Sequence, residues 1–507
     1  MSVTARKLTF GSALRVTNLV AAAVVSFLMM PFVVHTLGDK LYGLWTLVAT
    51  FINYYGIMDL GLSTAVTRHL SRALGAEDLE ECNQVFNTAL LVYLCIGVLV
   101  LAAGAVLAAV GPAFTKNPHD AQLLSKLLLI TSFTAALGFP VRVFVGVLNS
   151  HLRYDRTAAL ELLTLLLRSG LMVAVLLIGH GILGLAWASL LGSLPGMGLY
   201  AYFSFRDLPF LRLDPRYRSR KMVRTLFGYS SFSFIAQLAD VLRFQVDALV
   251  VAAFVGVAAV THYRIAGTMT QYFIEFMLAV MGVFHTVFSR QEGGRDFAAL
   301  QRTFLFASKL SVAVSTFVGF GLLAWGKAFI TRWMGPSYLN AYPCLIVLVA
   351  GCLTAQWQAP SVSLLYGISR HRFFALFNSV EGVANLVLSI LLARRLGIVG
   401  VALGTAIPMI LVKLLVQPIY TCRVAGVSYL RYMRQMGRTL AASSAALILP
   451  YFVTLRIIAP DYKVLVAIGA VSALLYAPTA WMLAFSPEER RMLWKKIQPQ
   501  LALRETA

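Results

Sequence analysis

At 507 residues, 59% hydrophobic and only 13% charged, with a mean hydropathy of +0.77, the chain is too apolar for a soluble globular protein and reads as a polytopic membrane protein. Lys and Arg number 43 against 21 Asp and Glu, a net charge of +22. In a membrane protein such an excess collects in cytoplasmic loops, so it implies no nucleic-acid partner.

Apolar stretches predict an all-α protein of fourteen transmembrane helices, at 12–36, 42–66, 84–110, 123–149, 157–179, 182–205, 226–254, 258–288, 301–325, 343–368, 373–393, 397–421, 438–456 and 463–484. No small-residue cleavage site follows the first apolar run, which is expected to stay as a helix. Arg6, Lys7, Arg15, Arg68, Arg72, Arg153, Arg156, the basic run 206–224, Arg290–Arg302, Arg370, Arg372, the run 423–438 and the tail after Ser486 fall in loops on one side. The opposite loops hold only Lys40, Lys116, Lys327, Arg332, Arg394, Arg395, Arg456 and Lys463. This asymmetry predicts that both termini are cytoplasmic. The tail after Ser486 reads as an amphipathic interfacial helix.

The halves resemble each other. Residues 71–90 align without gaps on 289–308, pairing Ser71 with Ser289, Arg72 with Arg290, Gly75 with Gly293, Asp78 with Asp296, Phe86 with Phe304 and Ala89 with Ala307. Pro140, His151 and Glu161 have the spacing of Pro360, His371 and Glu381, and Gly181–Gly184 echoes Gly397–Gly400. Six helices separate equivalent positions, an even number, which predicts two parallel six-helix repeats. The expected division is an N-lobe at 1–222, a C-lobe at 223–425, and two appended helices with the tail at 426–507.

No P-loop, no HExxH and no metal-spaced His/Cys cluster occurs, and the five cysteines form no CxxC pair. No catalytic residue, metal or cofactor is expected, and the chain is not read as an enzyme. The chemistry-bearing residues are charges at membrane depth, which must face protein or water because hydrocarbon solvates them poorly. In 226–254, Gln237, Asp240 and Asp247 share a helical stripe with Arg243 at its border. Arg142 follows Pro140; Glu161 and Arg168 lie two turns apart on one face; Arg264 and Glu275 lie in the following helix of the second half. Arginine keeps its charge, and its planar fork suits phosphate oxygens. Arg142, Arg168, Arg243 and Arg264 are therefore candidate ligands of an anionic, phosphorylated substrate. Asp240, Asp247, Glu275 and Glu161 are candidate coupling groups or pairing partners. Asn53, Gln237, Gln271 and Tyr272 are candidate sugar contacts, and the same residue types pack helix interfaces equally well.

The segment 37–75 carries Leu37-Gly38, Tyr42-Gly43-Leu44-Trp45, Asp59-Leu60-Gly61-Leu62 and a basic end at Arg68 and Arg72. It resembles the polysaccharide transporters, the O-antigen flippases, of the multidrug/oligosaccharidyl-lipid/polysaccharide (MOP) exporter superfamily. That resemblance implies two bundles around a central cavity open alternately to each side. It implies an undecaprenyl-diphosphate-linked oligosaccharide as substrate, moved outward across a bacterial inner membrane. The implied partners are this lipid-linked substrate, membrane lipids and other membrane proteins of polysaccharide assembly. A drug or metabolite antiporter of the same superfamily, and a membrane glycan polymerase or ligase, are the alternative readings.

Overall fold

A computed structural model describes residues 3–110, 117–227, 246–368, 370, 372–454, 461–487 and 489–490. Every regular element among them is helical. The first seven helices are α1 (Val3–Leu37), α2 (Asp39–Tyr55), α3 (Leu62–Gly75), α4 (Leu79–Val110), α5 (Pro118–Ser150), α6 (Tyr154–Leu177) and α7 (Gly181–Asp207). Then come α8 (Val246–Phe254), α9 (Val257–Met281), α10 (Val283–Gly293), α11 (Phe297–Trp333), α12 (Ala341–Trp357), α13 (Ala359–Gly367), α14 (Arg372–Leu411), α15 (Gln417–Ala425), α16 (Tyr429–Ala446), α17 (Ile448–Thr454) and α18 (Tyr462–Ala484). The chain divides into two compact units, Met1–Thr261 and His262–Ala507.

Ten helices among the described residues are long and apolar enough to cross a membrane, or eleven if α12 and α13, bent by 41°, count as one span. The clearest departure from the expected helices has a local reason. The predicted 42–66 breaks into α2 and α3 around a 3-10 turn, Gly56–Asp59, followed by Leu60 (φ 51°) and Gly61 (φ 75°) in the left-handed region. The predicted 373–393 and 397–421 meet at a kink at Gly397 (φ 58°, ψ −138°), a conformation a side chain would strain, where the sequence places the break between them. Most of the predicted 226–254 lies outside the described residues.

Packing follows from small residues at crossings. A Cβ on Gly43 would sit 2.1 Å from the carbonyl oxygen of Val257, so α2 approaches this backbone closely only because position 43 has no side chain. Below that crossing Leu44, Val48 and Phe51 bury against Leu124, Leu127 and Leu128 of α5.

The α3–α4 and α10–α11 turns share their geometry at positions 218 apart, the spacing of the aligned segments. Glu77 (φ 57°) and Arg295 (φ 55°) both take the left-handed conformation. Asp78 Oδ1 accepts from the Glu81 amide at 2.8 Å, as Asp296 Oδ1 accepts from the Ala299 amide at 2.9 Å. Each aspartate thereby caps the helix that follows it.

The basic run after α7 is fastened along α4. Asn83 Nδ2 donates to the Phe210 carbonyl (3.2 Å) and its Oδ1 accepts from the Arg212 amide (2.8 Å). One turn on, Asn87 Nδ2 donates to the Arg212 carbonyl (2.8 Å) and its Oδ1 accepts from the Asp214 amide (3.0 Å). Two buried amides at i and i+4 thus imitate a strand edge for an extended segment. Each bond contributes about 0.5–1.5 kcal/mol net. The double substitution N83A/N87A is expected to free the run: trypsin cleavage between Arg212 and Arg220 should quicken at least tenfold in the purified protein, with the rest of the digest unchanged.

Candidate functional site

Two groups of the first unit's charges involve the candidates at membrane depth. The turn after α2 buries Asp59 to 3% exposure, and three groups converge on it. Arg142 Nη1 of α5 lies 2.7 Å from Oδ1, the Tyr93 hydroxyl of α4 donates to Oδ1 at 2.7 Å, and the Ser63 hydroxyl donates to Oδ2 at 3.2 Å. The guanidinium also lies over the Phe139 ring, 4.6 Å from its centroid. The Arg142 side chain stays 37% exposed, so one part is held and another is open to contact. Among the described residues its acidic partner is Asp59, not Asp247, Glu275 or Glu161. The sequence marks Asp59 as a charge at membrane depth, but the left-handed Leu60 and Gly61 that follow it, and the carboxylate's turn toward α4 and α5, are seen only in the structure.

The second group lies on α6, which packs beside α1 and α7 and keeps two exposed stripes. Leu163, Leu166, Leu167, Leu171 and Leu177 are exposed on one side, as suits hydrocarbon. Glu161 and Arg168 are exposed as well, and at 100° per residue they project from the roughly opposite side. Seven residues separate them, about 10.5 Å along the axis, too far for an ion pair on one helix. Glu161 Oε2 instead accepts from Asn18 Nδ2 of α1 at 2.8 Å, and Arg168 has no hydrogen bond or ion pair among the described residues. Its helix presses on α7 there: a Cβ on Gly192 would lie 2.6 Å from the Arg168 Cα. Such close packing fixes where the guanidinium starts from.

In the second unit, Arg264, Gln271 and Glu275 stand at i, i+7 and i+11 on α9, within about 40° of one another. Gln271 Nε2 donates to Glu275 Oε1 at 3.0 Å, and Arg264 is exposed without an ion pair among the described residues. On the other side of α9, Phe273 and Met277 are buried with Cys352. Tyr272 lines an apolar cavity of about 310 Å³ with Phe276, Trp325, Phe329 and Leu465, and its buried hydroxyl has no hydrogen-bond partner among the described residues.

Of the remaining candidates, Asn53 is exposed on α2, and Asp247 is 8% exposed on α8, which packs against α2. Gln237, Asp240 and Arg243 lie outside the described residues. Sequence reasoning passed over Asn18, whose pairing with Glu161 needs the α1–α6 contact to be known. No group of three or more His, Cys, Asp or Glu suited to a metal occurs among the described residues.

The fold is one shared with solved transporters. It is similar to the lipid II flippase MurJ in an inward closed conformation, with a TM-score of 0.68 over 93% of this chain and 99% of that one at 16% identity. It is also similar to an inward-facing multidrug resistance MATE family transporter of the MOP superfamily, with a TM-score of 0.62 over 83% and 99% at 18% identity. In sequence it is 23% identical over 505 residues to the uncharacterized membrane protein EpsK of Bacillus subtilis, covering 97% of this chain and 98% of that protein. It is 22% identical over 423 residues to a putative O-antigen transporter of Shigella flexneri, covering 80% and 96%. Residues 36–343 match the family described as polysaccharide biosynthesis protein. The chain is a multi-pass membrane protein that belongs to that polysaccharide biosynthesis family and has the fold of MOP-superfamily transporters.

Proposed function

We propose that this protein is a flippase for an undecaprenyl-diphosphate-linked oligosaccharide, carried from the cytoplasmic to the outer leaflet of a bacterial inner membrane. The observation that carries the reading is Arg168, a cation on an apolar helix that is exposed opposite the leucine face and has no partner among the described residues. A permanent charge at that depth is tolerated where it meets water or an anion, and a diphosphate offers oxygens for its fork. Arg264 repeats the arrangement on α9, beside an amide and a carboxylate that suit sugar hydroxyls. Arg142 is a third cation, partly committed to Asp59. In this reading the lobes 1–222 and 223–425 alternate access while the polyprenyl tail stays in lipid, and residues 426–507 are an appendage. Both termini are cytoplasmic, on the loop-charge asymmetry. An ion gradient or the membrane potential drives the cycle, with Asp247, Glu275 and Glu161 as coupling groups.

The test is complementation of a deletion strain, with lipid-linked glycan quantified in each leaflet. Losing one charged hydrogen-bonding group at the substrate costs about 1.5–3 kcal/mol. Arg168→Ala and Arg264→Ala are each expected to lower export roughly tenfold or more, with glycan building up on the cytoplasmic face and protein levels unchanged. Normal export from both variants would refute the reading.

A further inference from the structure

A second cationic site lies in the second unit, built from residues other than those assigned to transport. A cavity of about 530 Å³ is lined by Lys309 of α11, Arg431, Arg434 and Arg438 of α16, and Phe485 and Ser486 at the end of α18. The three arginines stand at i, i+3 and i+7 and share one flank of α16, while Tyr432, Met436 and Thr439 bury the adjoining face. None of the three has a hydrogen bond or ion pair among the described residues.

Lys309 is already neutralised. Its Nζ lies 2.8 Å from Glu489 Oε1, and the Ser486 amide donates to Glu489 Oε2 at 2.8 Å. Burial pulls the Glu489 carboxyl up, but these bonds outweigh it and hold the group below the usual carboxylate range. The free charge of the cavity is therefore the arginine triplet. Beside it Leu430, Met482 and Leu483 are 76%, 66% and 60% exposed, an apolar margin directly next to a basic one.

We propose that this cavity is a binding site for a phosphoryl group, separate from the transported substrate. Three guanidiniums converge on one small volume, and their planar forks match phosphate oxygens. The apolar margin gives the acyl chains of an anionic phospholipid a place beside its headgroup; a soluble phosphate or diphosphate would use the arginines alone. A lipid held here would bridge α16 and α18 to α11.

The full-length protein, purified in detergent, is titrated with phosphatidylglycerol, phosphatidylcholine and inorganic pyrophosphate, and binding is read by native mass spectrometry. Each arginine near a membrane surface contributes roughly fivefold. The variant R431Q/R434Q/R438Q is expected to bind phosphatidylglycerol on the order of a hundredfold more weakly. Phosphatidylcholine should bind poorly throughout, and R216Q/R218Q/R220Q, with the same charge removed elsewhere, should match the parent. Loss of pyrophosphate binding with phosphatidylglycerol unaffected would support the site and assign it to a soluble ligand. Unchanged binding of both probes would overturn it. If the triple variant does not fold, photoactivatable phosphatidylglycerol on the unaltered protein decides: cross-links within 431–438 and 483–486 support the site, and cross-links only elsewhere reject it.

Discussion

Arg142→Met is expected to cost the purified protein about 3 kcal/mol of stability, and Asp59→Asn distinctly less, near 1 kcal/mol. The difference follows from where each partner sits. Asp59 is 3% exposed and, among the described residues, its charge is compensated by Arg142 alone, with Tyr93 and Ser63 adding hydrogen bonds. Without the arginine, a carboxylate is left in a medium that solvates it poorly. Arg142 is 37% exposed, so it can meet water when its partner becomes neutral, and an asparagine oxygen still accepts from Tyr93. The combined variant R142M/D59N should be more stable than R142M, because the orphaned charge is gone. Thermal unfolding of all four proteins closes the cycle. If the two single costs simply add, the pair is not coupled and Arg142 belongs wholly to substrate. If the stable double variant also exports glycan poorly, the pair both positions and binds.

How far the sequence could be read depends on the kind of contact. Charges at membrane depth stand out one by one, because hydrocarbon makes each conspicuous against its apolar neighbours. Glu161 and Arg168 could be placed on one face of one helix because that is a matter of period alone, and the structure keeps them there. The partners of Glu161 and Arg142 could not be read: Asn18 lies 143 residues from Glu161, and Asp59 lies on a different helix path from Arg142. Spans were legible as apolar runs, and so was the break at Gly397, where Arg394 and Arg395 interrupt the run; the turn at Gly56–Leu60 was not, since hydropathy is silent about backbone turns within an apolar run. The shared Asp78 and Asp296 caps were foreshadowed by the aligned segments, because capping is local chemistry. Tyr272 shows the opposite limit: its neighbour Gln271 joins the polar stripe of α9, and the tyrosine, one position along, lines an apolar cavity.

Lys413→Met should be the most damaging single change in the second unit, costing about 3–5 kcal/mol. Lys413 is buried to 2% exposure in a π-turn, Val412–Val416. The extra residue of that turn sets the lysine against α14, where Nζ donates to Asn378 Oδ1 at 3.0 Å and lies 3.4 Å from Glu381 Oε2. The ammonium also stands 5.0 Å from the centroid of the Phe374 ring. Glu381 is itself 2% exposed, so removing the lysine leaves a carboxylate sealed among apolar helices. Glu381→Gln should be milder, because Asn378 and the ring still face the ammonium. The pair K413M/E381Q should recover most of the loss, since apolar replacement of a buried ion pair is commonly neutral or better. Recovery of stability together with normal glycan export would make the pair a clamp that holds α14 to the π-turn. Recovery of stability with export still abolished would mean that charge at this point is used during the transport cycle, and a proton or cation would have to pass through Glu381. Additive damage in the double variant would show that the two side chains do not act as a pair at all.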